Sequence, residues 1–179
     1  MAKPSTALDE MAGGILAITT QDVVLYSQHS TNHQKFLHQF LLETGIRPSD
    51  IFLISGKRTM YLNGIVSYRQ KKTGIPRKIK ISDDLLLKVR YWRMLKGNFP
   101  NQFRNYQQMK NDLMRYCIFR YAYLCPNQKL YYFRYLYVAN LLLKKMSLEE
   151  ISQELGHEEV ASTLTYINTA EKLISKIKP

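Results

Sequence analysis

Cysteine is scarce in this chain of 179 residues: only Cys117 and Cys125 occur, with seven residues between them. That pair makes neither a CxxC spacing nor a disulfide framework, so both read as reduced thiols packed in a core, in a reducing compartment. Long apolar runs are also missing. The stretch from Gly13 to Ile18 is too short for the apolar region of a signal peptide, and nowhere do about 18 consecutive apolar residues offer a membrane span. A soluble, cytoplasmic protein without a membrane partner is expected. Metal-binding patterns are thin too. His29 and His33 are spaced i,i+4, but no HExxH pattern or Cys/His cluster surrounds them, so they read as ordinary helix residues and neither metal nor cofactor is expected.

Acidic residues are outnumbered, 14 against 26 Lys plus Arg, which leaves a net charge of +12 spread along the chain instead of gathered in a tail. Such a balance favours a polyanionic partner, because neutralising phosphates releases counterions and gives affinity independent of base sequence. Ribosomal, RNA-binding and membrane-surface proteins share that property, so charge alone selects none of them. Apolar content of 45% and charged content of 22% are those of a folding chain, and the length suits one domain.

Residues 1–19 lack clear periodicity and read as a flexible N-terminal arm, with the domain proper over 20–179. Helical patterning follows over 21–29 and 31–44, where Phe36, Leu37, Phe40 and Leu41 share a face and Gly45 ends the run. Over 58–82 the period changes to short β-favouring runs punctuated by Asn63-Gly64 and Thr73-Gly74, which predict a three-stranded antiparallel sheet. Helices are predicted again over 83–96, 101–124, 128–145, 148–155 and 159–177, with Pro100 and Pro126 as breaks. The expected fold class is mainly α with a small three-stranded antiparallel β-sheet, α+β overall. Within 147–156, Ser147 and Glu150 match a capping box and Gly156 sits at a left-handed C-cap, placing His157 in a fixed turn just beyond a helix. Tyr116, Phe119, Tyr123, Phe133 and Tyr137 recur at helical spacing among cations, which reads as a core face sooner than a base-stacking platform.

Two segments far apart carry the candidate chemistry: Thr44-Gly45-Ile46-Arg47-Pro48-Ser49-Asp50, and Leu155-Gly156-His157 with Tyr166 nine residues after the histidine. Between them lie Tyr131-Tyr132-Phe133-Arg134 and the basic turn Gln70-Lys71-Lys72-Thr73-Gly74. In this order and spacing the chain resembles the tyrosine recombinase (phage integrase) family over about residues 21–170. The resemblance implies that family's catalytic-domain fold, site-specific cleavage and rejoining of double-stranded DNA through a 3′-phosphotyrosine, and a homo-oligomer on DNA in a bacterial, phage or plasmid setting. It assigns Arg47 and Arg134 to the scissile phosphate, which suits the bidentate fork of guanidinium. His157 would donate a further hydrogen bond, Lys72 would protonate the leaving 5′ oxygen, and Tyr166 would be the nucleophile. Arg69, Lys71, Arg77 and Lys78, on and beside the same hairpin, are the candidate contacts to the DNA backbone.

One position departs from the family pattern: Tyr131 stands where a histidine is usual. A phenol with an ordinary pKa near 10 is only about one part in a thousand ionised at neutral pH, so Tyr131 reads as a group that orients the phosphate and not as a base. Telomere resolvases, which make hairpin ends, are similar in using tyrosine there. The usual N-terminal DNA-clamping domain is also without room in this length. A DNA-binding module of the same fold with little turnover is therefore the other reading. Plain structural readings stand beside the chemical ones: Leu155-Gly156-His157 as a helix C-cap, Arg47 as a cation before a helix opened by Pro48, and Lys72 as a phosphate contact only. The tail 169–179, with Leu173, Ile174 and Ile177 on one stripe, docks either on a neighbouring protomer or in cis.

Overall fold

Four apolar side chains, Phe36, Leu37, Phe40 and Leu41, repeat at i, i+1, i+4 and i+5, and in the computed structural model they line the buried face of the first described helix. The structure describes residues 32–54, 60–96, 105–115 and 131–177. Helix α1 (Asn32–Thr44) leads through a short 3-10 turn (Pro48–Asp50) into α2 (Ile51–Ile54), followed by β1 (Met60–Leu62), β2 (Ile65–Arg69) and β3 (Pro76–Lys80). Helices α3 (Asp83–Lys96), α4 (Tyr106–Arg115), α5 (Tyr132–Leu143), α6 (Leu148–Leu155) and α7 (Ala161–Ile177) complete the order.

Helix α5 is the hub. From Tyr132 to Ala139 every residue is buried, so this helix is enclosed on all sides, with α1 and α7 as its principal neighbours. Its burial places Phe133 and Tyr137 in the core, as their helical spacing predicted, while Tyr116, Phe119, Tyr123 and both cysteines lie outside the described residues. The same holds for the arm 1–19, the helix expected over 21–29 and His29.

The strands pair in the order β1-β2-β3, antiparallel throughout, with Leu62 opposite Ile65 across the Asn63-Gly64 turn. Both turn residues have positive φ, +50° and +72°, which is the backbone a two-residue hairpin of matching twist requires and the reason Asn-Gly serves there. Register puts Val66 against Ile79 and Tyr68 against Arg77 on the buried face of the sheet. Arg77 thus points inward, 4% exposed.

Helix α3 begins where its pattern predicted, capped by Ser82, whose Oγ accepts from the Leu85 amide at 3.1 Å, and the residues directly after Lys96 lie outside the description. Helix α6 has the predicted bounds, and its capping box is formed in both directions between Ser147 and Glu150. Helix α5 runs from Tyr132 with Tyr131 in the cap position, and residues 128–130, where the helix was expected to begin, lie outside the described residues. Segment 48–54 carries no apolar period, seven residues being too few to show one, but Pro48 does open a helical turn directly after Arg47, as the plain structural reading of that position expected. On α7, Ala170 and Leu173 are fully buried in cis and Ile174 is half-buried, so this part of the stripe is filled by the protein's own core. Ile177's side chain lies outside the description.

Candidate functional site

Three chain turnings bring the site together. Gly45 ends α1 with φ of +53°, and a Cβ there would stand 2.2 Å from the ring of Tyr137, so only glycine lets the chain leave the helix against α5. Arg47 follows in extended conformation, immediately before the 3-10 turn. Gly156 ends α6 in the same left-handed way, φ +63°, and its missing Cβ leaves room for the Gln70 amide, which a methyl group would meet at 2.2 Å. The β2–β3 turn is the third. Gln70 closes it by accepting from the Gly74 amide at 2.9 Å and donating from its own amide to Ile75 at 3.0 Å, leaving Lys71 and Lys72 exposed at the tip.

Arg134, on the first turns of α5, is 1% exposed. Its Nη1 donates to the Gly45 carbonyl, and its Nη2 donates to the Leu155 carbonyl at 3.2 Å and to His157 Nε2 at 3.1 Å. Its Nε is buried with no hydrogen-bond partner, an arrangement that leaves one charge-bearing donor unspent. Burial, with Arg77 beside it, depresses its pKa to about 10, which keeps the guanidinium cationic at neutral pH.

Arg47 donates from Nη1 to Gln70 Oε1 and lies 4.0 Å from Asp50 Oδ2, an ion pair too long to be a hydrogen bond. Asp50 is buried, and desolvation raises its pKa against the opposing pull of the Lys71 amide, Arg47, Arg134 and Arg77. Its Oδ1 accepts from the Lys71 backbone at 3.2 Å and so fastens the lysine turn to the Arg47 segment. Gln70 is the central connector: Oε1 serves Arg47 and Thr73, while Nε2 donates to Leu155 at 3.0 Å.

His157 is held from both sides, by Arg134 at Nε2 and by Thr163 Oγ1 at Nδ1, 2.7 Å away. Arginine can only donate, so Nε2 carries a lone pair and the proton sits on Nδ1. Burial, then Arg134, Arg47, Arg77 and Lys72, lower its pKa to about 3, consistent with a neutral ring. Tyr166, half-buried on α7, has its ring centre 5.3 Å from that of His157 and 5.1 Å from that of Tyr135, tilted to both, with the Arg134 guanidinium carbon 5.1 Å from the ring centre. Tyr131, also half-buried, has its pKa raised by burial and by Tyr166, and lowered by Arg47 and Arg134.

The structure therefore gathers Arg47, Tyr131, Arg134, His157 and Tyr166 in one place. Lys72 sits on the exposed turn beside them, near enough to act on the His157 charge. Lys78 is exposed on β3, and Arg69 is exposed with Nη1 spent on the Gly74 carbonyl at 3.1 Å. Arg77 is placed differently from a surface phosphate contact. It donates from Nε to Glu154 O at 2.8 Å, from Nη2 to Thr44 O at 2.9 Å and from Nη1 to Tyr68 Oη at 3.3 Å, tying the sheet to the ends of α1 and α6. Its strand parity, shared with Ile79, explains that inward direction. Gln70 and Thr163 were not read from the sequence as site residues. Alternation along Val66, Tyr68 and Gln70 is the signal that would have found the first, and Thr163 shows none beyond its place in the first turn of α7. Among the described residues no three His, Cys, Asp or Glu side chains gather to hold a metal ion, and no helix is long and apolar enough to cross a membrane.

Neither a protein-family model nor a curated protein sequence matches the chain. Solved structures do. The XerA recombinase superposes with a TM-score of 0.61 at 15% identity, covering 87% of this chain and 60% of that one. The Tn1549 transposon integrase in complex with a circular intermediate DNA gives 0.60 at 15% identity, covering 98% and 67%. The XerH site-specific recombinase bound to difH substrate, before cleavage, gives 0.57 at 17% identity, covering 96% and 52%. The chain thus spans about 60% of the XerA recombinase's length, and what it shares with these recombinases and integrases is the fold of their catalytic domains.

Proposed function

We propose that the protein cuts and rejoins double-stranded DNA through a covalent link between Tyr166 and a backbone phosphate. The single observation that carries this reading is the meeting of a phenol, an imidazole and two guanidiniums, from Arg47 to Tyr166 in sequence, with a buried arginine nitrogen still lacking a partner. Proteins of the same fold, XerH and the Tn1549 integrase, are seen bound to DNA, which supports that polyanion over RNA or a membrane surface.

In this reading Arg47 and Arg134 take the non-bridging oxygens of the scissile phosphate and offset the charge that grows there. The Tyr166 oxygen attacks phosphorus and loses its proton to water; the bond to the 5′ oxygen breaks, and Lys72 gives that oxygen a proton. The phosphodiester is exchanged for a phosphotyrosine ester, so rejoining by a 5′ hydroxyl needs no energy source. Tyr131 hydrogen-bonds the phosphate, Lys71, Arg69 and Lys78 contact the flanking backbone, and copies of the chain assemble on DNA. Whether the ends are passed to a second duplex or sealed as hairpins depends on that assembly.

Incubation with nicked suicide duplexes drawn from binding-site selection tests the proposal. A denaturant-resistant protein–DNA adduct that disappears in Tyr166→Phe is the expected result. Tight binding of the selected sites without any adduct would leave only the DNA-binding module.

A further inference from the structure

His157 cannot meet a phosphate in the state seen here. Its Nε2 accepts from Arg134, and a bare nitrogen turned toward an anionic oxygen would repel it. Once Arg134 turns a donor to a bound anion, Nε2 loses its partner and needs a proton of its own.

We infer that Thr163 is a positioning residue that lets His157 exchange tautomers when an anion binds, by switching its hydroxyl from acceptor to donor at Nδ1. The inference rests on the phosphate-binding reading above. Thr163 Oγ1 lies 2.7 Å from Nδ1, and its side chain is fully buried, so no water competes for that contact. A hydroxyl is the side-chain group that can accept from Nδ1–H and, after rotation about its C–O bond, donate to a bare Nδ1. With Arg134 donating to Nε2, the proton is on Nδ1 and Thr163 accepts. In the bound state the proton is on Nε2, directed at the anion, and Thr163 donates. The ring stays neutral, and proton number is conserved because Nδ1 releases one proton to solvent while Nε2 takes one up.

Protonation to imidazolium is the competing route to an Nε2 donor. The charged groups facing the ring oppose it: Arg134 from α5, Arg47 after α1, Arg77 from β3 and Lys72 from the β2–β3 turn are all cationic, and Tyr166 from α7 offers only a neutral ring. An isomerising ring avoids a further positive charge among them. Threonine in the first turn of α7 also places the switch on the helix that carries Tyr166, so the imidazole and the phenol are set by one element.

The experiment follows the imidazole nitrogens of the full chain by long-range proton–nitrogen correlation at neutral pH, with His157→Gln as the assignment control and inorganic phosphate as the probe. Nδ1 of His157 is expected to be protonated without phosphate and Nε2 with it, in wild type and in Thr163→Ser alike. Thr163→Val is expected to show mixed tautomers and about tenfold weaker phosphate binding, the effect of one lost buried hydrogen bond. An Nε2 proton before phosphate is added, an unchanged pattern at saturation, a doubly protonated ring, or a valine variant that switches like wild type would each overturn the inference. Phosphate binding is read separately from phosphorus line widths. Binding without exchange ends the tautomer switch alone, whereas failure to bind ends the anion site with it; the wild-type spectra decide the matter even where the valine variant does not fold.

Discussion

Arg134 and Gln70 donate to one oxygen: Nη2 of the arginine lies 3.2 Å, and Nε2 of the glutamine 3.0 Å, from the carbonyl of Leu155. That carbonyl belongs to the last turn of α6, whose final carbonyls have no partner within the helix and carry the negative end of its dipole. One otherwise unpaired group therefore ties the α5 guanidinium and the base of the lysine turn to the residue two before His157. The parts of the site are tied to one another through this oxygen, and they should fail together.

Gly156→Ala should destabilise the protein and loosen that junction. The added Cβ meets Gln70 Nε2 at 2.2 Å in a left-handed backbone, whereas at Gly74, φ +72°, a Cβ meets nothing within 4 Å. Urea denaturation should show about 1–2 kcal/mol lost at Gly74, from backbone strain alone, and a larger loss at Gly156. Equal losses would mean that the Gln70 contact is unimportant.

Arg77 and Lys78 are adjacent and face opposite ways, the first buried and the second exposed. Removing Arg77 strands the carbonyls of Glu154 and Thr44, so Arg77→Ala should cost on the order of 3 kcal/mol of stability. Lys78→Ala should leave stability within about 0.5 kcal/mol and lower the salt dependence of DNA binding by about one phosphate contact. A stable Arg77→Ala with weakened DNA binding would restore the surface role expected from sequence.

These residues also mark how far the sequence could be read. The start of α3 was legible from its apolar period, and both bounds of α6 because caps and period agree there, Ser147-Glu150 with Gly156. The Asn63-Gly64 turn was legible because few dipeptides tolerate two positive φ angles. Arg47, Arg134, His157 and Tyr166 could be listed from the family resemblance, but not the network that holds them, since Gln70 reaches Leu155 across 85 positions. The inward direction of Arg77 was missed because its charge was weighed and its strand parity was not.

Acid should destabilise the fold through His38. Burial lowers its pKa from 6.5 to about 3, so the unfolded chain binds a proton that the folded one refuses. The stability owed to the neutral ring is complete above about pH 6.5 and is lost as pH falls toward 3, at up to about 1.4 kcal/mol per pH unit. His38→Leu should flatten the dependence of the urea midpoint on pH across that window by this amount. Parallel curves for both proteins would contradict the assignment.

Lys72 is predicted to act as the acid and not merely as a phosphate contact. A substrate with sulfur at the bridging 5′ position has a leaving group that needs no proton, so it should rescue Lys72→Ala while leaving Lys71→Ala unaffected. Equal impairment of Lys72→Ala on both substrates would reduce Lys72 to binding.

Thirteen tyrosines occur in the chain, and among those described Tyr166 has its ring beside both His157 and the Arg134 guanidinium. Digestion of a trapped protein–DNA adduct and mass spectrometry of the nucleotide-bearing peptide would show which residue holds the phosphate. A 3′-phosphate ester on Tyr166 is the expected result; attachment to any other side chain, Tyr131 included, would contradict the proposed chemistry.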